Sequence, residues 1–446
     1  MLIQVGSSLS VADHSTLSAL NGTLDLSAPK TTIGKALTLE AKKLGLTTSN
    51  DISLTDSSLT AGTDGLSLVS SEGSVSINGG ALTSQNSINV SSAKDTTISR
   101  TAVSSEGNDA EAGVFLRSSE GAVKVSDGSI NSNGSVKLSA VTDAQLTNVS
   151  VSAKGTGEGS GVEVNSSQGS VMIDAGQLDS QSSIRLTSAA GTQVMGADLI
   201  VAGTGESEGL FITSNGGAVE VTSNTVSSGS VIDIASQKDA SLTVESLNAA
   251  GKLDVESKEG SINVSSEANG NTGGLQAAAE NGSVTLKGLN VDSSTDIDVL
   301  AKDSISVTGG SLKNKDGSNL ILVSKEGNLN LALNEKNLAA DTITLKGKGE
   351  LNLTGYTLVA SKGDLKVATG GLNIKDASLS TSTPGSVLLS AEEGNVDSNN
   401  KTSIDSAGSL EVGAAGKVDL SAAKVVYSES GALRLTAGST DSDALK

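Results

Sequence analysis

Apolar and polar residues alternate along most of the chain, in stretches of four or five residues. In "AVKV" and "SVKL" the valines and leucines are separated by polar residues. A period of two places successive side chains on opposite faces of a β-strand, so each stretch predicts a strand with one buried face and one exposed face. The pattern therefore predicts many short strands joined by tight turns.

These strands recur with a long period. Gly73, Gly121, Gly169 and Gly217 follow one another at intervals of 48 residues, and each precedes an apolar pair. A fixed period of this kind is typical of repeat architectures. Six apolar rows share the interval, and the first copies of these rows begin at Val75, Leu82, Ile88, Ile98, Val103 and Val114.

The repeat changes length at one place, between the fifth and sixth rows. Long copies read "SSEGNDAEAG", "SAKGTGEGSG" and "VAGTGESEG", whereas short copies read "TAGTDG" and "NAAGK". Insertions are tolerated where the backbone is exposed, so this segment predicts a surface loop. Without the loop, the six strands resolve into two coils of three strands, each coil having about 21 residues.

Stacked coils of three short strands predict an all-β fold, a parallel β-helix or β-solenoid. The long period is clearest over residues 73–260, and later units such as "GDLKVATGGLNI" keep the strand, turn and strand. We expect residues 1–446 to form one continuous rod of roughly 21 coils, on the order of 100 Å long. We also expect both ends to be truncated from a longer protein. A β-propeller with 48-residue blades is the alternative, although its blades have four strands rather than six.

Composition and charge narrow the classes of function. Aromatic residues make up 1% of the chain, so its core must consist of Val, Ile, Leu and Ala. A net charge of −20 disfavours binding to phosphate backbones and predicts no nucleic-acid partner. No apolar run approaches the roughly 20 residues of a membrane-spanning helix. The absence of cysteine excludes disulfides and thiolate chemistry.

The units "GSVSINGGALTSQNSINVSSAKDTTI" and "GDLKVATGGLNI" resemble the haemagglutinin-type repeats of filamentous haemagglutinin-like exoproteins. These are bacterial adhesins and contact-dependent inhibition proteins that are exported by two-partner secretion. The resemblance covers nearly the whole chain, but its strand, Gly-Gly or Asp-Gly turn, and strand are shared by many β-solenoids. It implies a right-handed β-helix, located outside the cell or on its surface, that serves as a stalk or an adhesive surface. The secretion-domain Asn-Pro motif and a C-terminal toxin domain are absent from this sequence.

Few residues are candidates for catalysis. His14 is the only histidine, so no catalytic relay or metal site that needs more than one imidazole is available. Asp95, Asp143 and Asp239 occupy equivalent positions before a strand, where a turn aspartate stabilises the local backbone. We therefore expect no catalytic residue, no cofactor and no metal ion.

The variable loop is acidic in its successive long copies. It carries Asp109 and Glu111, then Glu158, then Glu206 and Glu208. Equivalent residues two coils apart are separated by roughly 9 to 10 Å, whereas a calcium ligand lies only about 2.3–2.6 Å from its ion. One ion cannot bridge such copies, so a solvated loop is favoured over weak binding of a divalent cation. Glu158 and Glu206 are also tentative contacts for a partner.

Phe115 and Phe211 are the other tentative partner contacts. In "GVFLRSS" and "GLFITSN" the flanking aliphatic residues alternate inward, which turns each phenylalanine outward, and Glu163 is the equivalent residue in the intervening copy. Exposed apolar side chains beside a long loop are plausible contact points.

Three functions are consistent with the sequence. The first is the non-enzymatic shaft of a secreted bacterial adhesin, biofilm-matrix or contact-dependent exoprotein, with a cell-surface receptor or a polysaccharide as its partner. The second is a polysaccharide-active lyase or hydrolase built on a β-helix. The third is a glycan- or protein-binding module that uses the glycine-rich loops. We expect a monomeric rod whose open coil ends allow end-to-end association.

Overall fold

The computed structural model describes residues 1–108, 111–157, 159–315, 317–382, 384–428 and 430–438. Across these residues the chain is all-β without a helix, and parallel coils stack as a β-solenoid, which confirms the predicted fold class. Contacts within the chain divide it into two compact units, Met1–Ser236 and Gln237–Lys446. The single continuous rod stays a prediction.

The first unit contains strands β1 to β23. Their bounds are β1 (Leu2–Gln4), β2 (Ser8–Val11), β3 (Thr16–Ala28), β4 (Lys30–Ile33), β5 (Thr38–Thr48), β6 (Ile52–Ala61), β7 (Leu66–Ser70), β8 (Val75–Ser84), β9 (Ile88–Ser92), β10 (Thr96–Ser99), β11 (Ala102–Ser105), β12 (Val114–Ser118), β13 (Val123–Ser126), β14 (Ser129–Ser132), β15 (Val136–Ala140), β16 (Ala144–Ala153), β17 (Val162–Ser166), β18 (Ser170–Ser180), β19 (Ser183–Ser188), β20 (Gly191–Val201), β21 (Gly209–Ser214), β22 (Val219–Ser228) and β23 (Val231–Ser236).

The second unit contains strands β24 to β45. Their bounds are β24 (Ala240–Ser257), β25 (Ile262–Ala279), β26 (Val284–Ser293), β27 (Ile297–Ala301), β28 (Ile305–Thr308), β29 (Ser311–Asn314), β30 (Leu320–Ser324), β31 (Leu329–Ala332), β32 (Asn337–Ala340), β33 (Ile343–Lys346), β34 (Glu350–Asn352), β35 (Thr357–Ala360), β36 (Leu365–Thr369), β37 (Gly371–Asn373), β38 (Ser378–Thr381), β39 (Val387–Ala391), β40 (Val396–Asp397), β41 (Ser403–Ser406), β42 (Leu410–Ala414), β43 (Val418–Asp419), β44 (Lys424–Tyr427) and β45 (Leu433–Ala437).

Each coil of the first unit has three walls, and the six predicted rows merge into them in pairs. The first wall pairs Val75 with Thr96 and Thr96 with Val123. The second wall stacks Leu82 on Val103, and the third wall stacks Ile88 on Val114. All of these pairings are parallel, so the two three-strand coils per repeat are confirmed.

Coils of the first unit alternate in length. The coil that leads from Thr96 to its register partner Val123 is longer than the coil that leads from Val75 to Thr96. The additional residues lie at the corner between the second and third walls, where the sequence predicted a surface loop. The described residues form about 19 turns. This number is smaller than expected, because the prediction used one average coil length and every second coil of the repeat exceeds it.

The core consists of inward-facing aliphatic side chains that stack on their equivalents in adjacent coils. Val123, Leu138, Ile173 and Leu199 are each 0% exposed. Burying a side chain of this size contributes about 1.5–3 kcal/mol. Because the core is a set of continuous rows, its stability depends on every coil holding the same register.

A node of three residues, which recurs at intervals of two coils, holds that register at the corner between the third and first walls. The Ser118 hydroxyl accepts a hydrogen bond from Gly121 N (2.8 Å) and donates one to the Lys94 carbonyl of the preceding coil. The Asp95 carboxylate of that coil accepts a bond from Ala122 N at 2.9 Å. The same Ser–Gly–Asp node occurs at Ser70, Gly73 and Asp51, at Ser166, Gly169 and Asp143, and in the second unit at Ser257, Gly260 and Asp239.

The node explains why a glycine recurs at the same place in each repeat and corrects the role expected of the aspartates. A Cβ atom on Gly121 would lie 2.4 Å from Asp95 Oδ1, so only glycine permits this approach. The sequence predicted that Asp95, Asp143 and Asp239 stabilise their own turns. Their carboxylates instead bond to the next coil, 22 to 27 residues along the chain. The expectation was wrong because a local turn pattern does not reveal a partner in another coil.

The second unit has a more even coil length. In its third wall, Leu320 pairs with Ile343, Ile343 with Leu365, and Leu365 with Val387, at nearly equal intervals along the chain. Tyr356 is the largest fully buried side chain, and its hydroxyl accepts a hydrogen bond from Leu333 N at 3.0 Å. This buried hydroxyl is therefore satisfied by the preceding coil.

Replacing Val123 by Asp tests the inward register. Val123 is fully buried, so the substitution places an unpaired carboxylate in a stacked apolar row and should cost more than about 3 kcal/mol. Urea unfolding followed by circular dichroism measures the loss. Lys124→Asp is the matched control, because Lys124 is the next residue of the same strand and is exposed. Equal destabilisation by the two changes would contradict the register.

Replacing Asp143 tests the bond between coils. Asp143→Ala removes the acceptor for Ser170 N, which lies 2.9 Å from the carboxylate, and should cost about 1 kcal/mol. Asp143→Asn retains a side-chain oxygen and should cost less. Hydrogen exchange of the Ser170 amide reports the bond directly. If this amide is equally protected in the wild type and the Ala variant, the bond does not exist in solution.

Candidate functional site

The candidate site is the outer surface of the third wall in the first unit. Strands β12, β15, β17, β19 and β21 lie side by side there, and one outward residue of each forms a continuous column. In order, this outer column consists of Phe115, Lys137, Glu163, Arg185 and Phe211. The alternation within each strand directs these side chains outward because the residues on either side of each are buried.

Charged side chains connect the middle of the outer column. Lys137 Nζ lies 3.8 Å from Glu163 Oε2, and both side chains are partly exposed. The Arg185 guanidinium lies 4.0 Å from the centroid of the Phe211 ring and donates a hydrogen bond to the Ser207 carbonyl at 2.8 Å. Arg185 is therefore held in place by an aromatic ring and by the backbone of the neighbouring loop.

Both phenylalanines face outward, as the alternation predicted, but both are half-buried. Each phenylalanine lies between two neighbouring strands of the wall. Phe115 has Asn89 and Lys137 as its register partners, and Phe211 is stacked against Arg185. Each phenylalanine thus presents part of its surface to solvent without being isolated. Their role in binding a partner stays a prediction.

A second outward column runs beside the first. It begins at Arg117 and continues with Ser139, Asn165, Thr187 and Thr213. Apart from the exposed arginine, these are short side chains that donate and accept hydrogen bonds. The two columns together make a flat polar surface with an aromatic residue near each end.

The charge of this surface differs from that of the whole chain. The two columns hold three cationic side chains, those of Arg117, Lys137 and Arg185, and one carboxylate, that of Glu163, whereas the chain carries a net charge of −20. Beyond Phe211 the next outward residue is Asp233, on β23. The Lys137–Glu163 pair leaves the two arginines without a carboxylate partner among the described residues. The sequence did not reveal this grouping, because the five residues of the outer column are brought together only by the register of the coils.

The long loop that precedes β21 is held by its own carboxylate. Glu208 Oε2 accepts a hydrogen bond from Gly205 N at 2.8 Å. This bond is the main reason why the pKa of Glu208 is lowered, and the backbones of Thr204 and Gly157 and the Ser182 hydroxyl lower this pKa further. Glu208 therefore connects its loop with the equivalent long loop two coils earlier.

The sequence predicted a solvated acidic loop, and the structure divides its carboxylates into two kinds. Glu206 is exposed on the loop, whereas Glu208 is partly buried among backbone N–H groups. Glu158 and Asp109 lie outside the described residues. The bracing role of Glu208 was missed because a Gly-x-x-Glu spacing gives no sign of contact with a distant loop.

Neither the acidic residues nor the histidine make a metal centre within the part of the chain that the structure describes. There, no group of three or more His, Cys, Asp or Glu side chains is arranged to hold an ion. His14 has a positive φ of 56° in a turn, and the neighbouring Asp13 carboxylate accepts a hydrogen bond from Lys35 N. The Asp13 carboxylate therefore bonds the backbone of the following coil, and His14 forms part of the turn.

The second unit holds one pair of carboxylates in contrasting surroundings. Asp254, Gln276 and Asp298 are successive outward residues of its third wall. Lys252 Nζ lies 2.6 Å from Asp254 Oδ2 and donates to Gln276 Oε1 at 2.9 Å. Burial raises the pKa of Asp298, and the Asp296 carboxylate raises it further. The Oδ1 atoms of Asp254 and Asp298 are buried without a hydrogen-bond partner.

Glu208→Gln tests the loop brace through its dependence on pH. The carboxyl has a folded pKa below its ordinary value of 4.5, so its stabilising effect is present above that value and is lost as the pH falls through the folded pKa. At pH 7 the Gly205 amide should exchange faster in the variant than in the wild type. The difference in protection should shrink at acidic pH.

Hydrogen–deuterium exchange, corrected for intrinsic rates, measures this protection. Glu206→Gln is the control, because it removes an exposed carboxylate from the same loop. Equal loss of protection in both variants would show that the general charge of the loop, rather than the Glu208 contacts, orders it.

Comparisons with known proteins identify no relative, so the functional proposal rests on the fold and on this surface. The chain matches no protein-family model, no curated protein and no solved structure. Among the described residues, no helix is long and apolar enough to cross a membrane.

Proposed function

We propose that this chain is a structural shaft from a secreted bacterial exoprotein of the adhesin, biofilm-matrix or contact-dependent type. The observation that carries the proposal is the parallel pairing that continues from coil to coil within each unit. A stack of this kind provides length and lateral surface, and each coil contacts mainly its neighbours. The resemblance of its repeats to those of filamentous haemagglutinin-like exoproteins also supports this function.

The side-chain chemistry supports a mechanical role for most of the chain. The hydroxyls, amides and carboxylates at the corners are largely occupied by bonds between coils, as in the Ser–Gly–Asp nodes at Ser118 and Ser166. The third wall of the first unit is the surface that we propose for attachment to cells or glycans. The protein would act outside the cell or at its surface.

The enzymatic alternative would depend on Asp254 and Asp298. Two carboxylates with different surroundings are the usual requirement for glycoside hydrolysis, one as an acid and the other as a base or nucleophile. The raised pKa of Asp298 suits an acid, and Asp254 forms an ion pair with Lys252. Their Cα atoms are two strand spacings apart, about 10 Å. This observation makes Asp298 the residue on which to test the alternative.

Antibodies raised against the purified chain test the proposed location. In the producing bacterium, the protein should be found in the medium or on the cell surface, where added protease removes it. An abundant cytoplasmic protein serves as the control for cell lysis. Protein that stays inside intact cells and resists added protease would contradict the proposal.

Beads coated with the purified chain test the proposed attachment, and a glycan panel tests the enzymatic alternative. Coated beads should adhere to host or bacterial cells more than beads coated with an unrelated acidic protein. No glycan should be cleaved by the chain. Cleavage that is lost in Asp298→Asn and retained in Asp296→Asn would contradict the structural proposal and support the enzymatic alternative.

A further inference from the structure

We propose that an acidic linear polysaccharide, with carboxylate groups on its sugar rings, binds lengthwise along the third wall of the first unit. The inference rests on the proposed attachment function and specifies its ligand. Its site consists of the outer column from Phe115 to Phe211 and the second column that begins at Arg117.

The concentration of uncommon residues distinguishes this surface from the rest of the chain. The 446 residues include two phenylalanines and four arginines. Both phenylalanines and two of the arginines, Arg117 and Arg185, lie on the outward face of five adjacent strands. The core needs none of these side chains, because the inward rows of the same strands are aliphatic.

The arginines provide the charge complementarity for an acidic ligand. Neither forms an ion pair with a carboxylate among the described residues, and the two columns carry three positive side chains and one negative side chain, with Asp233 beside Phe211 on the next strand. Arg185 is ordered before binding by Phe211 and the Ser207 carbonyl. Stacking uses the face of the guanidinium, so N–H groups at its edge stay available for a carboxylate. Less side-chain entropy is lost when such a preordered group binds.

The spacing of the site suits a linear chain of sugars. Adjacent residues of each column are separated by the strand spacing of about 4.8 Å, so Phe115 and Phe211 lie roughly 19 Å apart. The strand spacing of about 4.8 Å, rather than the separation of the phenylalanines, is close to the length of one sugar in an extended polysaccharide. Ser139, Asn165 and Thr187 are placed to exchange hydrogen bonds with ring hydroxyls, and Phe115 offers apolar surface to a sugar ring.

A protein partner fits the same surface less well. A stable protein interface buries about 800 Å² on each side around a well-packed apolar centre. Here the centre of the surface is the Lys137–Glu163 ion pair, and the two phenylalanines are half-buried at opposite ends. A narrow row of polar groups with one aromatic residue near each end favours a thin, hydroxyl-rich polymer.

Binding of polygalacturonate to the purified chain tests the proposal. The double variant Arg117→Gln/Arg185→Gln should bind at least about tenfold more weakly, because each arginine forms a charge-assisted contact. Lys124→Gln/Arg434→Gln is the matched control. It removes two exposed positive charges elsewhere and should leave the affinity within about twofold. Circular dichroism and thermal unfolding verify that the variants are folded.

Two further ligands separate recognition of an acidic glycan from other causes. Methyl-esterified polygalacturonate keeps the sugar backbone but lacks the charges, so it should bind weakly. Polyglutamate has the charge but no sugar rings, and it should also bind weakly. Equal binding of either polymer would overturn the proposal, as would equal losses in the site variant and the control variant. Binding of polyglutamate alone would identify an acidic polypeptide as the partner.

The binding test of the polysaccharide site and the tests of the proposed function can fail separately. If wild-type beads adhere to cells but the chain does not bind polygalacturonate, the polysaccharide site is wrong and attachment uses another surface. If polygalacturonate binds as expected but the protein stays inside the producing cell, the site is correct and the proposed exoprotein function is wrong. If Arg117→Gln/Arg185→Gln does not fold, Arg117→Gln alone provides the test, because this side chain is exposed.

Discussion

The parallel register between successive coils is the constraint on which the rest of the structure depends. Each inward residue must stack on its equivalent, because a shift of one residue along a strand would turn the aliphatic side chains outward and the polar ones inward. The Ser–Gly–Asp node opposes such a shift at the corner between the third and first walls. Its glycine admits the aspartate of the preceding coil, and its serine bonds to that coil's backbone. Register is thus maintained by polar contacts at the corner as well as by the apolar core.

The walls were predictable because they depend on local alternation repeated at a fixed interval. Val75, Leu82 and Ile88 begin three of the rows in the sequence and three walls in the structure. The loop at the corner between the second and third walls was predictable from its variable length. The number of turns was less predictable, because a single average coil length ignores the longer coils that alternate with the short ones.

Contacts between distant coils could not be read from the sequence in the same way. Asp143 stands in an ordinary turn pattern, yet its carboxylate bonds to Ser170, and Glu208 resembles a solvated loop residue, yet it contacts the backbone of another loop. Alternation correctly placed Phe115 and Phe211 on the outside. It did not show that Arg185 stacks on Phe211, because that contact follows from the pairing of β19 with β21.

The same register that builds the core also creates the binding surface proposed for the third wall. An outward side chain on one strand is followed by an outward side chain on the paired strand of the next coil. Substitutions at equivalent positions of successive coils therefore become neighbours in a column. Lys137, Glu163 and Arg185 occupy equivalent positions in successive coils and differ without disturbing the inward rows beside them. A rigid sheet orders such a column before any ligand arrives, which reduces the entropy cost of binding. A β-solenoid can therefore acquire recognition of a linear polymer by changing outward residues only, while its corners and core continue to maintain the stack.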